Sequence, residues 1–289
     1  MEEQELHKTA MVFEQMDFLV KIGSQNFVRQ NQFAGSDHER AKAIEEMFED
    51  PEVKAIVCAR GGYGALRIID ILNYNLIAKN PKIFIGYSDI TALLISIYKM
   101  TGLVTFHGPM LYSFINEVDP FTITSMLQLM SDPEQYKVEF SGDSYQVRVL
   151  RHGIAEGELL GGNLSILVNL IGTPHDFDTS GKILFMEDVD EYLYNFDRML
   201  LHLKRSGKLD KVAGLIVGEM VDIKDNEVPF GRDVDDIILD ILWDTTFPII
   251  TNFPCGHGKN QITLPISIKA RLECNERGAS LHLLESPIL

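Results

Sequence analysis

One serine in this chain stands where a hydroxyl can be made to react. In Ile83-Phe84-Ile85-Gly86-Tyr87-Ser88-Asp89-Ile90-Thr91 an apolar run ends in Gly-Tyr, presents Ser88, and passes straight into a helix-starting pattern. A tight strand-to-helix turn of this kind lifts a side chain clear of the backbone, and a hydroxyl held there can attack a carbonyl given a base and amide donors nearby. The best base is His257, in Phe253-Pro254-Cys255-Gly256-His257-Gly258, because a glycine-flanked imidazole titrates near neutral pH on an adaptable loop. An orienting acid is offered by Glu187-Asp188, directly after the apolar run Ile183-Leu184-Phe185-Met186. Amide donors are offered by Arg60-Gly61-Gly62-Tyr63-Gly64, at the end of another short apolar run. His107, in Phe106-His107-Gly108-Pro109, ends a further strand and is expected to line the cleft.

The order serine, acid, histidine is that of the α/β-hydrolases, yet their G-x-S-x-G is absent, since Asp89 and Ile90 follow the serine. Ser88 lies 99 residues before Glu187, and Glu187 lies 70 before His257, so the three can meet only across a fold or a domain interface. The Gly-Gly-Tyr-Gly loop also lacks the G-x-G-x-x-G spacing of a dinucleotide site.

Short buried strands alternating with helices are expected to position these groups. Val53–Ala59, Lys82–Gly86 and Leu103–Phe106 read as strands. Helices are expected at 3–22, from the capped Ser36-Asp37 to Phe48, over Ala65–Leu72 and over Asp89–Met100, with a possible short strand at Asn26–Val28. The alternation predicts a parallel α/β sheet. After about residue 130 the pattern changes. Tyr136–Phe140 and Tyr145–Leu150 alternate like antiparallel strands, and Gly153–Gly162 reads as a glycine-rich crossover. Strands at Lys182–Met186, Ala213–Val217, Pro248–Thr251, Ser267–Leu272 and Ser280–Leu284, with helices over Tyr192–Ser206 and Asp233–Leu242, make a second unit. Two α/β domains meeting at a cleft are expected: residues 1–135, a linker at 136–155, and 156–289.

Composition removes several classes of partner. With 26 basic and 42 acidic residues the net charge is −16, which repels phosphate backbones and anionic lipid surfaces. No window is apolar enough for a membrane span, and the acidic N-terminus lacks the pattern of a signal peptide. Cys58, Cys255 and Cys274 cannot all pair and have no metal spacing. A cytoplasmic protein without cofactor or metal is expected.

Taken together, Arg60–Gly64, Gly86–Thr91, Leu160-Gly161-Gly162-Asn163-Leu164, Glu187-Asp188, and Gly256-His257-Gly258 with Thr263-Leu264-Pro265 resemble the LD-carboxypeptidases of peptidase family S66. The resemblance runs from Phe33-Ala34-Gly35-Ser36-Asp37 to about residue 268. It implies an N-terminal Rossmann-like domain, a C-terminal domain, and a serine-type Ser-His-Glu triad at their junction. On that basis Ser88 is the nucleophile, His257 the base and Glu187 its orienting acid. The backbone N–H groups of Asp89 and Gly62 are the oxyanion donors, and Arg60 is a candidate for a substrate carboxylate. The implied reaction cleaves the L,D amide of a murein tetrapeptide and releases D-alanine, in peptidoglycan recycling; a homodimer is the family expectation. The alternatives are a microcin-C-type immunity peptidase on the same scaffold and, outside catalysis, a small-ligand binding module. Family members usually open with a hydrophobic strand and a Pro-Ser turn. This chain begins almost directly in the first helix, so either the sheet edge beside that place is exposed or another segment fills it.

Overall fold

A computed structural model describes residues 2–115, 119–131, 137–141 and 146–288. The N-terminal part begins with helix α1 (Glu3–Glu14) and helix α2 (Asp37–Glu49). The start of α2 is written in its sequence: Glu39 N–H donates to Ser36 Oγ at 3.3 Å, and Ser36 N–H to Glu39 Oε2 at 2.8 Å. Strands β1 (Ala55–Val57), β2 (Ile83–Gly86) and β3 (Thr105–His107) then form a parallel sheet, with helix α3 (Tyr74–Lys79) before β2 and helix α4 (Thr91–Thr101) before β3. Burial of both faces is why Ile83-Phe84-Ile85 is a continuous apolar run rather than an alternating one. Helix α4 stops at Gly102, whose φ of 76° supplies the left-handed cap.

Helix α5 (Pro120–Ser131) and strands β4 (Lys137–Ser141) and β5 (Arg148–Arg151) lead to the long strand β6 (Gly153–Asn163). There follow α6 (Leu164–Leu170), β7 (Ile183–Val189), α7 (Leu193–Arg205), β8 (Gly214–Val221), α8 (Val234–Ile241) and β9 (Ile249–Phe253). Three short strands end the chain: β10 (Leu264–Ile266), β11 (Lys269–Asn275) and β12 (Gly278–Leu283). The second sheet has the order β4-β12-β11-β6-β7-β8-β9-β5. Its centre, β6 to β9, is parallel, and its outer strands are antiparallel. Strands β11 and β12 curl back towards β5, giving a half-barrel. One continuous apolar core underlies both sheets.

Several local expectations change. The first helix ends at Glu14, where Asp17 takes φ 65° and the chain turns; beyond it Leu19 is fully exposed, so the apolar face does not continue. Ser24–Phe27 is a 3₁₀ turn rather than a strand, and Ala65–Leu72 divides into two 3₁₀ turns. Gly153–Gly162 is a strand, not a crossover loop. A β-carbon on Gly157 or Gly161 would run into the backbone at Gly181 or Phe185, so those glycines serve close strand packing. Tyr136 and Tyr145, the expected first residues of two strands, lie outside the described residues. The expected domain limits are crossed by one element. Strand β10 lies in the first sheet, antiparallel to β3, with Leu264 opposite His107. β10 ends that sheet on one side, and an outermost strand is where a proline such as Pro265 is tolerated. At the other end β1 has β2 as its only neighbour among the described residues.

Candidate active site

The turn after β2 has the strained geometry its sequence suggests. Ser88 takes φ 61°, rare for a non-glycine residue, and leads through a 3₁₀ turn into α4. Gly86 is required there, because a β-carbon would stand 2.6 Å from Ile90 Cγ2. The loop after β1 lies directly alongside: a β-carbon on Gly61 would be 3.2 Å from Ser88 Oγ and 3.4 Å from Asp89 N. Gly62 takes φ 95° with open space around it. The glycine loop, the serine and the first amide of its turn are therefore neighbours.

Glu187 arrives from the second sheet. It is fully buried near the end of β7, where the register with β8 shifts between Met186 and Asp188, an irregularity of the kind that re-aims a side chain. His257 lies on the loop after β9, and its Nδ1 is 2.7 Å from Glu187 Oε2. Gly256, φ 100°, makes this approach possible, since a β-carbon there would fall 2.5 Å from Glu187 Cγ. The ring of His257 packs edge-on against Tyr87, centroids 4.9 Å apart, and Tyr87 is the residue before Ser88. These groups stand near or just beyond the carboxyl ends of parallel strands, where open α/β sheets hold ligands.

The electrostatics fit a base. Burial alone would depress the His257 pKa, but the hydrogen bond and charge of Glu187 outweigh it and hold the imidazole above its ordinary value. Asp188 is pushed up to about 6 by burial and by the neighbouring charge of Glu187. Asp188 faces elsewhere: it accepts from Asn163 Nδ2 at 2.9 Å and from Ser165 N–H at 3.0 Å. The Asn163 N–H in turn donates to Thr91 Oγ1 at 2.9 Å. The Gly161-Gly162-Asn163 motif is thus a strut between the serine helix and the strand carrying Glu187. Burial pushes the Cys58 and Cys274 thiols up to about 12 and Cys255 well above its ordinary range, which favours the protonated thiol in all three.

The remaining expected residues separate. Arg60 is exposed, its guanidinium carbon 4.8 Å from the Tyr112 ring centroid, with no carboxylate partner among the described residues. His107, expected to line the cleft, has no exposed surface: it is wedged between Tyr87 and Phe185, and burial lowers its pKa to about 4. Glu219, at the end of β8, was not foreseen. Its carboxylate fills the space a side chain at Gly258 would need, and burial raises its pKa. Among the described residues no group of three or more His, Cys, Asp or Glu gathers as metal ligands would.

The chain has relatives both in sequence and in fold. Residues 1–108 match the LD-carboxypeptidase N-terminal domain of peptidase S66, and residues 156–272 match the corresponding C-terminal domain. This chain belongs to the LD-carboxypeptidase family. It is 43% identical over 282 residues to a probable murein peptide carboxypeptidase of Bacillus subtilis, covering 95% of this chain and 86% of that one. The crystal structure of muramoyltetrapeptide carboxypeptidase from Oxalobacter formigenes superposes with a TM-score of 0.89 at 32% identity, covering 99% of this chain and 96% of that one. The microcin C7 self-immunity protein of Escherichia coli is 29% identical over 277 residues, 86% of this chain and 79% of its own length. The family carries serine carboxypeptidase activity, and its two-sheet α/β fold is the one found here. Among the described residues no helix is long and apolar enough to cross a membrane.

Proposed function

We propose that this LD-carboxypeptidase family member hydrolyses the L,D amide of a murein tetrapeptide and releases its terminal D-alanine. The observation that carries the reading is the hydrogen bond of 2.7 Å between His257 and the buried Glu187, with His257 packed on Tyr87 beside the strained Ser88. In the proposed reaction Ser88 Oγ attacks the scissile carbonyl while His257 Nε2 takes its proton. Glu187 accepts the Nδ1–H, fixing the tautomer and stabilising the imidazolium that forms. The Asp89 and Gly62 N–H groups meet the oxyanion of the tetrahedral intermediate. His257 then protonates the leaving amine, and water attacks the acyl-enzyme by the same route in reverse. Arg60, on the loop that carries Gly62, binds the terminal carboxylate. His107 backs the Tyr87 ring from inside the core.

The substrate class comes from the relatives, two of which are named for murein or muramoyl peptides. On this reading the chain works in the cytoplasm, in peptidoglycan recycling, as a homodimer. Likeness to the microcin C7 self-immunity protein supports the second reading, an immunity peptidase that cleaves peptidyl or aminoacyl nucleotide amides. Purified protein given a murein tetrapeptide or a peptidyl-adenylate analogue joined through a cleavable amide separates the two. D-Alanine release from the tetrapeptide alone supports the proposal; turnover of the nucleotide analogue alone replaces it with the second.

A further inference from the structure

The motif Phe33-Ala34-Gly35-Ser36-Asp37 does more than cap α2. It is the outer part of a frame around the glycine loop. Arg40, one turn into α2, donates from Nη1 to the Gly64 carbonyl at 3.1 Å. Its other terminal nitrogen donates to Asp37 Oδ1 at 2.5 Å, and its guanidinium carbon lies 5.0 Å from the Phe33 ring centroid. Asp37 accepts two further hydrogen bonds from Arg67, which follows the loop, at 3.0 Å and 2.7 Å. The Phe33 ring also covers Gly64, where φ is 128° and a β-carbon would meet Phe33 Cε1 at 3.0 Å. From the inner side, Asp89 Oδ2 accepts the N–H of Ala65 at 2.7 Å. Asp89 is only 5% exposed, so this tie is shielded from water.

A loop of three glycines in five residues has many conformations to lose, and its own sequence does nothing to select one. Amide donors aid a developing oxyanion only when fixed before the charge appears, at hydrogen-bond distance from where it will sit. The Gly61–Gly64 segment is held on the carbonyl of Gly64 by Arg40 and on the following amide by Asp89. Its near side rests against Ser88. We propose that Arg40 and the Asp89 carboxylate are positioning residues that fix the glycine loop for oxyanion stabilisation, and that Asp37 and Phe33 hold Arg40 for that task. Asp89 thereby serves the site through its side chain as well as its backbone amide. This rests on the reading of Ser88 as nucleophile and Gly62 as donor.

The test compares Arg40→Met, Arg40→Lys, Asp89→Ala and Asp89→Asn with the unaltered protein. The readouts are kcat and KM for D-alanine release and the rate at which an alkyl fluorophosphonate modifies Ser88, each per titrated active site. Arg40→Met and Asp89→Ala are expected to lower both kcat and the phosphonylation rate by about 10-fold or more, with KM within about threefold, since complete loss of one oxyanion donor costs about 10²–10³. Asp89→Asn keeps an oxygen able to accept the Ala65 N–H and is expected to retain most of the rate. Arg40→Lys keeps a donor and is expected to fall between the extremes. A purely structural role would lower thermal stability but leave kcat per titrated site unchanged, and that outcome overturns the inference. Should Asp89→Ala fail to fold, Arg40→Met decides. If the unaltered protein releases D-alanine and is modified at Ser88 while the variants react equally fast, the positioning role alone fails. If the unaltered protein does neither, the underlying reading fails with it.

Discussion

Replacing Glu187 with glutamine removes one charge from the interior and keeps the volume. The acid is fully buried, and Nδ1 of His257 lies 2.7 Å from its Oε2. A hydrogen bond to a charged group contributes about 1.5–3 kcal/mol, which alone is worth about 10- to 150-fold in rate. The amide can also offer its NH₂ to Nδ1, which selects the tautomer whose Nε2 is already protonated and cannot accept from Ser88. Loss of the acid in a serine triad can cost about 10⁴ in kcat through that route. Glu187→Gln is therefore expected to lower kcat/KM for D-alanine release by about 10²–10⁴. The pH profile should shift as well. A base works when neutral, so activity in the unaltered protein rises through a His257 pKa held above its ordinary 6.5. Glutamine removes the hydrogen bond and charge that raise it and leaves burial to lower it, so the rising limb should move to lower pH. The fold should survive, because the amide keeps the volume of the acid and still pairs with His257 Nδ1. Steady-state assays from pH 5 to 9 beside a thermal melt make the comparison. A variant within about fivefold of the unaltered protein, with its limb unmoved, would refute the role given to Glu187.

Gly256→Ala should damage the same pair from the other side. Its φ of 100° disfavours a side chain, and the new methyl would press on Glu187 Cγ, so a loss of at least about tenfold in kcat and about 1–2 kcal/mol of stability is expected in activity and urea-unfolding assays. Gly162→Ala would place a methyl 2.5 Å from Thr91 Cγ2, at the strut between the serine helix and β7; overpacking of this kind should cost about 1–3 kcal/mol in urea unfolding. On the proposed reading Arg60 binds the substrate's terminal carboxylate and takes no part in the triad, so Arg60→Gln should raise KM for the tetrapeptide about tenfold with kcat nearly unchanged.

Some of this architecture is legible in the sequence because local chemistry dictates it. The apolar run Ile83-Phe84-Ile85 ending at Gly86 can only be a buried strand entering a tight turn, and Ser36 with Glu39 writes the start of α2. The proximity of Glu187 and His257 is different in kind. Seventy residues separate them, and only the resemblance of several motifs at once, not their spacing, pairs them. Other features depend on tertiary contact with no local signature. Strand β10 contains Pro265, which argues against a strand until an outermost position is available. The glycines of β6 read as loop because the requirement they meet, backbone passing within contact distance, belongs to the neighbouring strand and not to their own segment. Arg40 and Thr91 sit on ordinary helices, and nothing in their surroundings in sequence announces the loop and the strut they support. The burial of His107 likewise follows from Phe185 and Tyr87, which reach it from two different sheets.

Ser88 is the residue expected to form the acyl-enzyme. A phosphonate analogue of the L,D tetrapeptide, incubated with the protein and followed by peptide-mapping mass spectrometry, tests it most directly. One adduct per chain is expected, on Ser88, absent from Ser88→Ala and formed far more slowly in His257→Ala. Full D-alanine release by Ser88→Ala, or an adduct on any other residue, would contradict it.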